Sequence, residues 1–172
     1  VNMRDQSGEF AIVVAATNGH EDAVRALLEL KADPNATQDT GLTGLLGASF
    51  CGSRDMVKML LDANADPTAR MKDGSTALHL AVQNNDTELA RLLVEIEGFP
   101  IDAGRPGAEE QTALHMAAAS GYTAMGMLLL HHEARQISVT NYGDTEAMEA
   151  AINGDFALLQ ALVVSAQIFE ET

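Results

Sequence analysis

Few residues of this 172-residue chain combine the type and the spacing that chemistry needs. His131 and His132 are adjacent, so on a helix they point in different directions and do not form a pair on one face for a metal ion. Cys51 is the one thiol, and no basic residue adjoins it to favour a reactive thiolate. Residues 41–47 are glycine-rich, but no strand precedes them and no Lys-Ser or Lys-Thr pair follows, so they are not a phosphate loop. The acidic residues are many and scattered, and no acid–base pair stands out. No Ser-His-Asp or Cys-His arrangement is present. The expectation is a chain with no catalytic site, no cofactor and no metal.

What the sequence does contain is a period. Gly8, Gly41 and Gly74 lie 33 residues apart, as do Gly19 and Gly52, Asp33 and Asp66, Pro34, Pro67 and Pro100, and later Gly121 and Gly154. A fixed step of this length predicts stacked helical units that each contact their neighbours and present one long continuous face. Such a face usually binds another protein.

The unit has a recognisable motif. Residues 74–81 read Gly-Ser-Thr-Ala-Leu-His-Leu-Ala, and 112–118 read Thr-Ala-Leu-His-Met-Ala-Ala. Both resemble the ankyrin repeat, with its Thr-Pro-Leu-His start. The likeness continues in Gly19-His20, in Leu27-Leu28, Leu60-Leu61, Leu92-Leu93 and Leu128-Leu129-Leu130, and in the tails Ala32-Asp33-Pro34-Asn35-Ala36 and Ala65-Asp66-Pro67-Thr68-Ala69. The resemblance implies an all-α solenoid of stacked helix-turn-helix units with projecting hairpin or finger loops. It covers nearly the whole chain as one array, with repeats at about 4–36, 37–69, 70–103, 104–138 and 139–168. The start, Val1-Asn2-Met3-Arg4-Asp5, resembles the end of a preceding repeat, so the chain is expected to be part of a longer protein. His79 and His115 occupy the family's structural histidine position and are expected to bond backbone.

Each motif position has a physical task. Thr43, Thr76, Thr112 and Thr145 precede apolar runs, where a hydroxyl caps free N–H groups. Ala15-Ala16, Ala117-Ala118 and Ala150-Ala151 let first helices pack closely, while leucines hold the second helices further apart and curve the stack. The motif's Pro is replaced throughout, by Ala11, Gly44, Ala77, Ala113 and Glu146. Gly47 inside a helix costs about 1 kcal/mol against Ala, so repeat 2 is expected to be the weakest helix pair. The Met-Glu-Ala-Ala of repeat 5 resembles a family variant in which Glu149 is not a buried charge. Pro34 to Gly41 and Pro67 to Gly74 each span seven residues but Pro100 to Glu110 spans ten, which places a three-residue insertion in the finger near residues 104–107.

The net charge of −15 disfavours nucleic acid, whose phosphates need Lys and Arg, and suits a protein partner with a basic segment. It also keeps an elongated repeat protein from self-association, so a monomer is expected. One cysteine fits a reducing compartment, cytoplasmic or nuclear rather than secreted, and no run of about 20 apolar residues spans a membrane. Family contacts come from finger tips and the exposed side of the first helix. Mapped here, they give Asp39, Leu42, Phe50, Cys51, Met71, Lys72, Asp73, Gln83, Asn84, Glu109, Gln111 and Tyr142. Leu42, Phe50 and Met71 are expected to face water and share one apolar patch in repeats 2 and 3. The alternative to a free-standing scaffold is a regulatory or targeting domain of a larger enzyme or channel.

Overall fold

The structure, a computed structural model, describes residues 2–5, 9–105, 111–132, 134 and 145–170, with side chains described as far as Val164 in the last stretch. Among these residues are ten helices and no strand: α1 Ala11–Thr17, α2 Glu21–Glu29, α3 Gly44–Phe50, α4 Arg54–Asp62, α5 Ala77–Gln83, α6 Thr87–Val94, α7 Ala113–Ala119, α8 Thr123–His131, α9 Glu146–Ile152 and α10 Phe156–Glu170. The short odd-numbered helices pack in one row, α1 on α3 on α5 on α7 on α9. The even-numbered helices pack behind them, α2 on α4, α6 on α8 and α8 on α10. This is an all-α ankyrin-type solenoid. No helix among the described residues is long and apolar enough to cross a membrane.

The side chains explain the two rows. The inner helices meet through Ala16, Ala48, Ala81, Ala117 and Ala150, all buried. The outer helices α2, α4 and α6 are amphipathic; α4 reads Arg-Asp-Met-Val-Lys-Met-Leu-Leu-Asp and buries Met56, Val57 and Leu60 while its charged residues stay in water. Thr43, Thr112 and Thr145 cap their helices, each hydroxyl accepting the N–H three residues on. At Thr76 the cap is reciprocal, and its own N–H also donates to Nδ1 of His79 at 3.2 Å. The residue that ends each first-helix turn has positive φ at Gly19, Gly52, Gly121 and Gly154, and Asn85 fills the same place in repeat 3 with φ 52°.

Two expectations change. Gly47 is less a weak point than a condition for packing: a Cβ there would lie 2.5 Å from the Thr17 hydroxyl and 3.0 Å from its backbone nitrogen. The insertion is also not confined to the finger near residues 104–107, of which only 104 and 105 are described. The left-handed residues that follow α2, α4 and α6 are Lys31, Asn64 and Gly98. The first step is 33 and the second 34, so one extra residue lies at the end of α6, before the finger. The hydrogen bonds agree. Ala69 N–H donates to Asp66 O, and Ala103 N–H donates to Pro100 O. Pro100 therefore matches Asp66, and its spacing from Pro67 is a coincidence of register.

Candidate interaction surface

The fingers come first, because they project furthest. Their bases close through isolated bridges, Arg4 to Phe10, Thr37 to Thr43 and Arg105 to Gln111. Neighbouring fingers are tied by charge: Arg4 to Asp39 at 2.7 Å and Arg105 to Asp73 at 2.9 Å. The hydrogen bond and charge of Arg4 hold the exposed Asp39 carboxyl below its usual range. Burial works against the Asp73 charge, but hydrogen bonds from Ser75 and Arg105 outweigh it and keep that carboxyl low. Lys72 presents an exposed side chain while its N–H donates to Thr40 O at 2.9 Å. These three finger residues therefore face outward but also hold the array together.

Of the three apolar candidates, Phe50 alone is open to water, with 54% of its surface exposed. Leu42 and Met71 are half-buried and pack on the core. The expected shared patch is corrected accordingly. Leu42 precedes α3 and Phe50 ends it, which sets them on the order of 10 Å apart along the helix. The finger base folds Leu42 and Met71 inward, whereas the last turn of α3 carries Phe50 out. Phe50 instead shares an open cleft of about 470 Å³ with Cys51 and Asn84, whose far wall includes Arg54, Asp86 and Glu88. Arg54 Nε lies 3.2 Å from Asp86, which also caps α6 by accepting the Leu89 N–H.

Several candidates have structural work. Asn84 Nδ2 donates to Ser49 O at 3.2 Å and to Phe50 O at 2.9 Å, tying α5 to the last carbonyls of α3. Asn153 does the same for Ala118 and Ala119. Cys51, at the equivalent position, reaches Ala16 O with Sγ at 3.4 Å. Gln111 is half-buried, and its carbonyl accepts from His79. Gln83 is exposed. Glu109 and Tyr142 lie outside the described residues. The asparagine ties had a signal, since Asn18, Cys51 and Asn84 keep the 33-residue step. Asn84→Ala is expected to cost about 1 kcal/mol, the usual net value of lost hydrogen bonds. Gln83→Ala next to it should stay within about 0.5 kcal/mol of wild type. Urea unfolding of both variants checks the contrast.

His79 and His115 belong to the interior. His79 is buried, with Nδ1 taking the Thr76 N–H and Nε2 3.2 Å from Gln111 O, so Nε2 carries the proton. Burial, more than any charge nearby, drives its pKa down to about 4. His115 faces Glu146, which by motif position is only a replacement for Pro. Its Nδ1 lies 3.2 Å from Oε1 of Glu146, and both side chains are 1% exposed. Glu146 is the first residue of α9, where the other repeats place Ala or Gly. Burial raises its pKa to about 7, with Asp102 adding to the rise. Glu149, by contrast, is only half-buried. Among the described residues no group of three or more His, Cys, Asp or Glu side chains is placed to hold a metal.

Comparison with known proteins agrees with this geometry. A family described as "Ankyrin repeats (3 copies)" matches residues 1–71 and 78–171, and "Ankyrin repeats (many copies)" matches residues 55–94. The chain is also similar to ankyrin repeat domain-containing protein 63 of Mus musculus, 39% identical over 51 residues, and to its Homo sapiens counterpart, 37% identical over 51 residues. The matched stretch is 30% of this chain and 13% of each relative.

Proposed function

The chain belongs to the ankyrin-repeat family, and from that premise we propose that it is a protein-interaction scaffold whose binding surface centres on Phe50. Ankyrin repeats are generally protein–protein interaction modules, and proteins of the family are typically not enzymes. One observation carries the placement. The residues at the end of the first helices are Thr17, Phe50, Gln83, Ala119 and Ile152; Phe50 and Ile152 are large and exposed, and Phe50 is the aromatic one and lies within the array rather than in its last described repeat. Interface energy concentrates in such anchors.

The chemistry beside it selects the partner. Asp86 and Glu88 line the cleft under Phe50, and the whole chain carries −15. A segment that sets an apolar side chain against Phe50 and a Lys or Arg beside Glu88 satisfies both. Opposite charge also speeds the encounter. In this reading the finger residues Asp39, Lys72 and Asp73, at the opposite end of the first helices from Phe50, give a second contact region.

Phe50→Ala should weaken partner binding by about 1–2 kcal/mol, as loss of an anchor does. Its folding should change little, because more than half of the ring already meets water. Partner captured on the wild-type chain, then titrated against both proteins, gives the affinity, and melting gives the stability. Unchanged affinity with a stability loss of roughly 3 kcal/mol or more, as for a core phenylalanine, would sink the proposal.

A further inference from the structure

The outer helices carry a second pattern, independent of Phe50. Counted from the first residue of α2, α4 and α6, the second, fifth and ninth positions are charged: Asp22, Arg25 and Glu29; Asp55, Lys58 and Asp62; Glu88, Arg91 and Glu95. All nine face water. At the same positions α8 has Ala124, Met127 and His131, and α10 has Ala157, Gln160 and Val164. These six are exposed too, with Met127 at 45% and Val164 at 50%. The repeat needs no apolar residue there, since three copies of it place charge. A helix that is apolar on every side is normally covered on every side.

The two helices form one surface. A Cβ on Gly126 of α8 would lie 2.7 Å from Leu158 of α10, so the helices meet closely. Between them runs an open apolar groove of about 560 Å³ bordered by Met127, Leu130, His131, Gln160 and Val164.

We propose that this face joins two copies of the chain, α8 and α10 of one packing on α8 and α10 of the other about a twofold axis. A twofold contact presses a patch against itself, so the patch must be self-complementary. Apolar side chains are. Charge decides where two copies can meet. Each carries −15, and the outer faces of α2, α4 and α6 each expose two carboxylates. Contact through those helices sets like charges together, whereas the matching positions of α8 and α10 carry no carboxylate. The area sets the strength. α8 and the described side chains of α10 each run over nine residues, about 14 Å, and two helix widths of about 10 Å give roughly 300 Å² per copy. That is below the usual size of a specific interface, so the dimer is weak and concentration-dependent. The monomer suggested by net charge is then the dilute form.

Sedimentation equilibrium tests this. The mass-average mass should rise from 18.2 kDa at low concentration toward twice that value when the protein is concentrated to the order of 0.5 mM, as a weak interface allows. Added salt should strengthen the dimer, because screening relieves repulsion between two acidic chains. Met127→Lys with Gln160→Lys restores the basic residues that Arg25, Lys58 and Arg91 place at that position in α2, α4 and α6. The double variant should keep the wild-type melting temperature and stay monomeric throughout. A wild type that remains at 18.2 kDa overturns the proposal, and so does a double variant that dimerises equally. If the wild type stays monomeric and the double variant loses a captured heterologous partner, the face belongs to another protein and the proposal fails.

Discussion

Gly41→Ala is expected to destabilise the chain by roughly 3 kcal/mol or more, the sum of a strained backbone and a forced contact. Gly41 turns the finger of repeat 2 with φ +85°, a region that side chains with a Cβ seldom adopt. Its missing Cβ also makes room for the next finger. A Cβ would lie 2.7 Å from Arg70 O, 2.9 Å from Met71 Cα and 3.0 Å from Lys72 N. All three are backbone atoms, so no rotamer change relieves the clash. The fingers would have to part, breaking the Lys72 N–H to Thr40 O bond at 2.9 Å.

Gly52→Ala supplies the control. Its φ is +74°, but nothing lies within 4 Å of the place its new methyl group would take, so only the backbone cost of about 1–2 kcal/mol applies. Urea unfolding of the two variants separates the effects. Equal losses would mean that the fingers do not need the close approach. A larger loss for Gly41→Ala, with weaker partner binding by the folded fraction, would tie finger stacking to function.

These positions show how far the sequence could be read. The period, the threonine caps and the alanine and leucine rows follow from local chemistry, and each was legible because most repeats restate it. What was hidden depends on contacts between repeats. Pro100 keeps the 33-residue step and still sits in a different register, because an extra residue at the end of α6 shifts the chain by one before the finger begins. Leu42 and Met71 look like surface residues by motif position, yet the finger base turns them onto the core. Asn84 looks like a variable contact, but its amide faces the carbonyls that end α3. The outer charges that vanish in α8 and α10 were visible in the letters. They acquire meaning only when the helices are aligned by their caps.

Glu146 is the strongest case of a hidden contact, and it makes a pH prediction. Its pKa is about 7 in the fold against an ordinary 4.5, so the folded state holds a proton that the unfolded chain releases. Stability from this group is full below about pH 4.5 and is lost as pH rises through about 7. His79 acts in the opposite sense. Its pKa is about 4 in the fold against 6.5, so its share is full above 6.5 and is lost as pH falls toward 4. Between pH 5 and pH 8 each group changes stability by about 2 kcal/mol, with opposite sign. Asp39, Asp73 and Asp155 are all shifted downward and titrate below this window. The contributions of His79 and Glu146 therefore oppose each other across this range. Glu146→Gln removes one of the two opposed groups and keeps the side-chain shape beside His115. It should match the wild type at pH 5 and exceed it by about 2 kcal/mol at pH 8, since a neutral amide has no charge to desolvate. Urea midpoints at four pH values across the window decide the matter. If Glu146→Gln runs parallel to the wild type throughout, the carboxyl at the start of α9 is already charged at pH 5 and the proton assigned to it in the fold is not there.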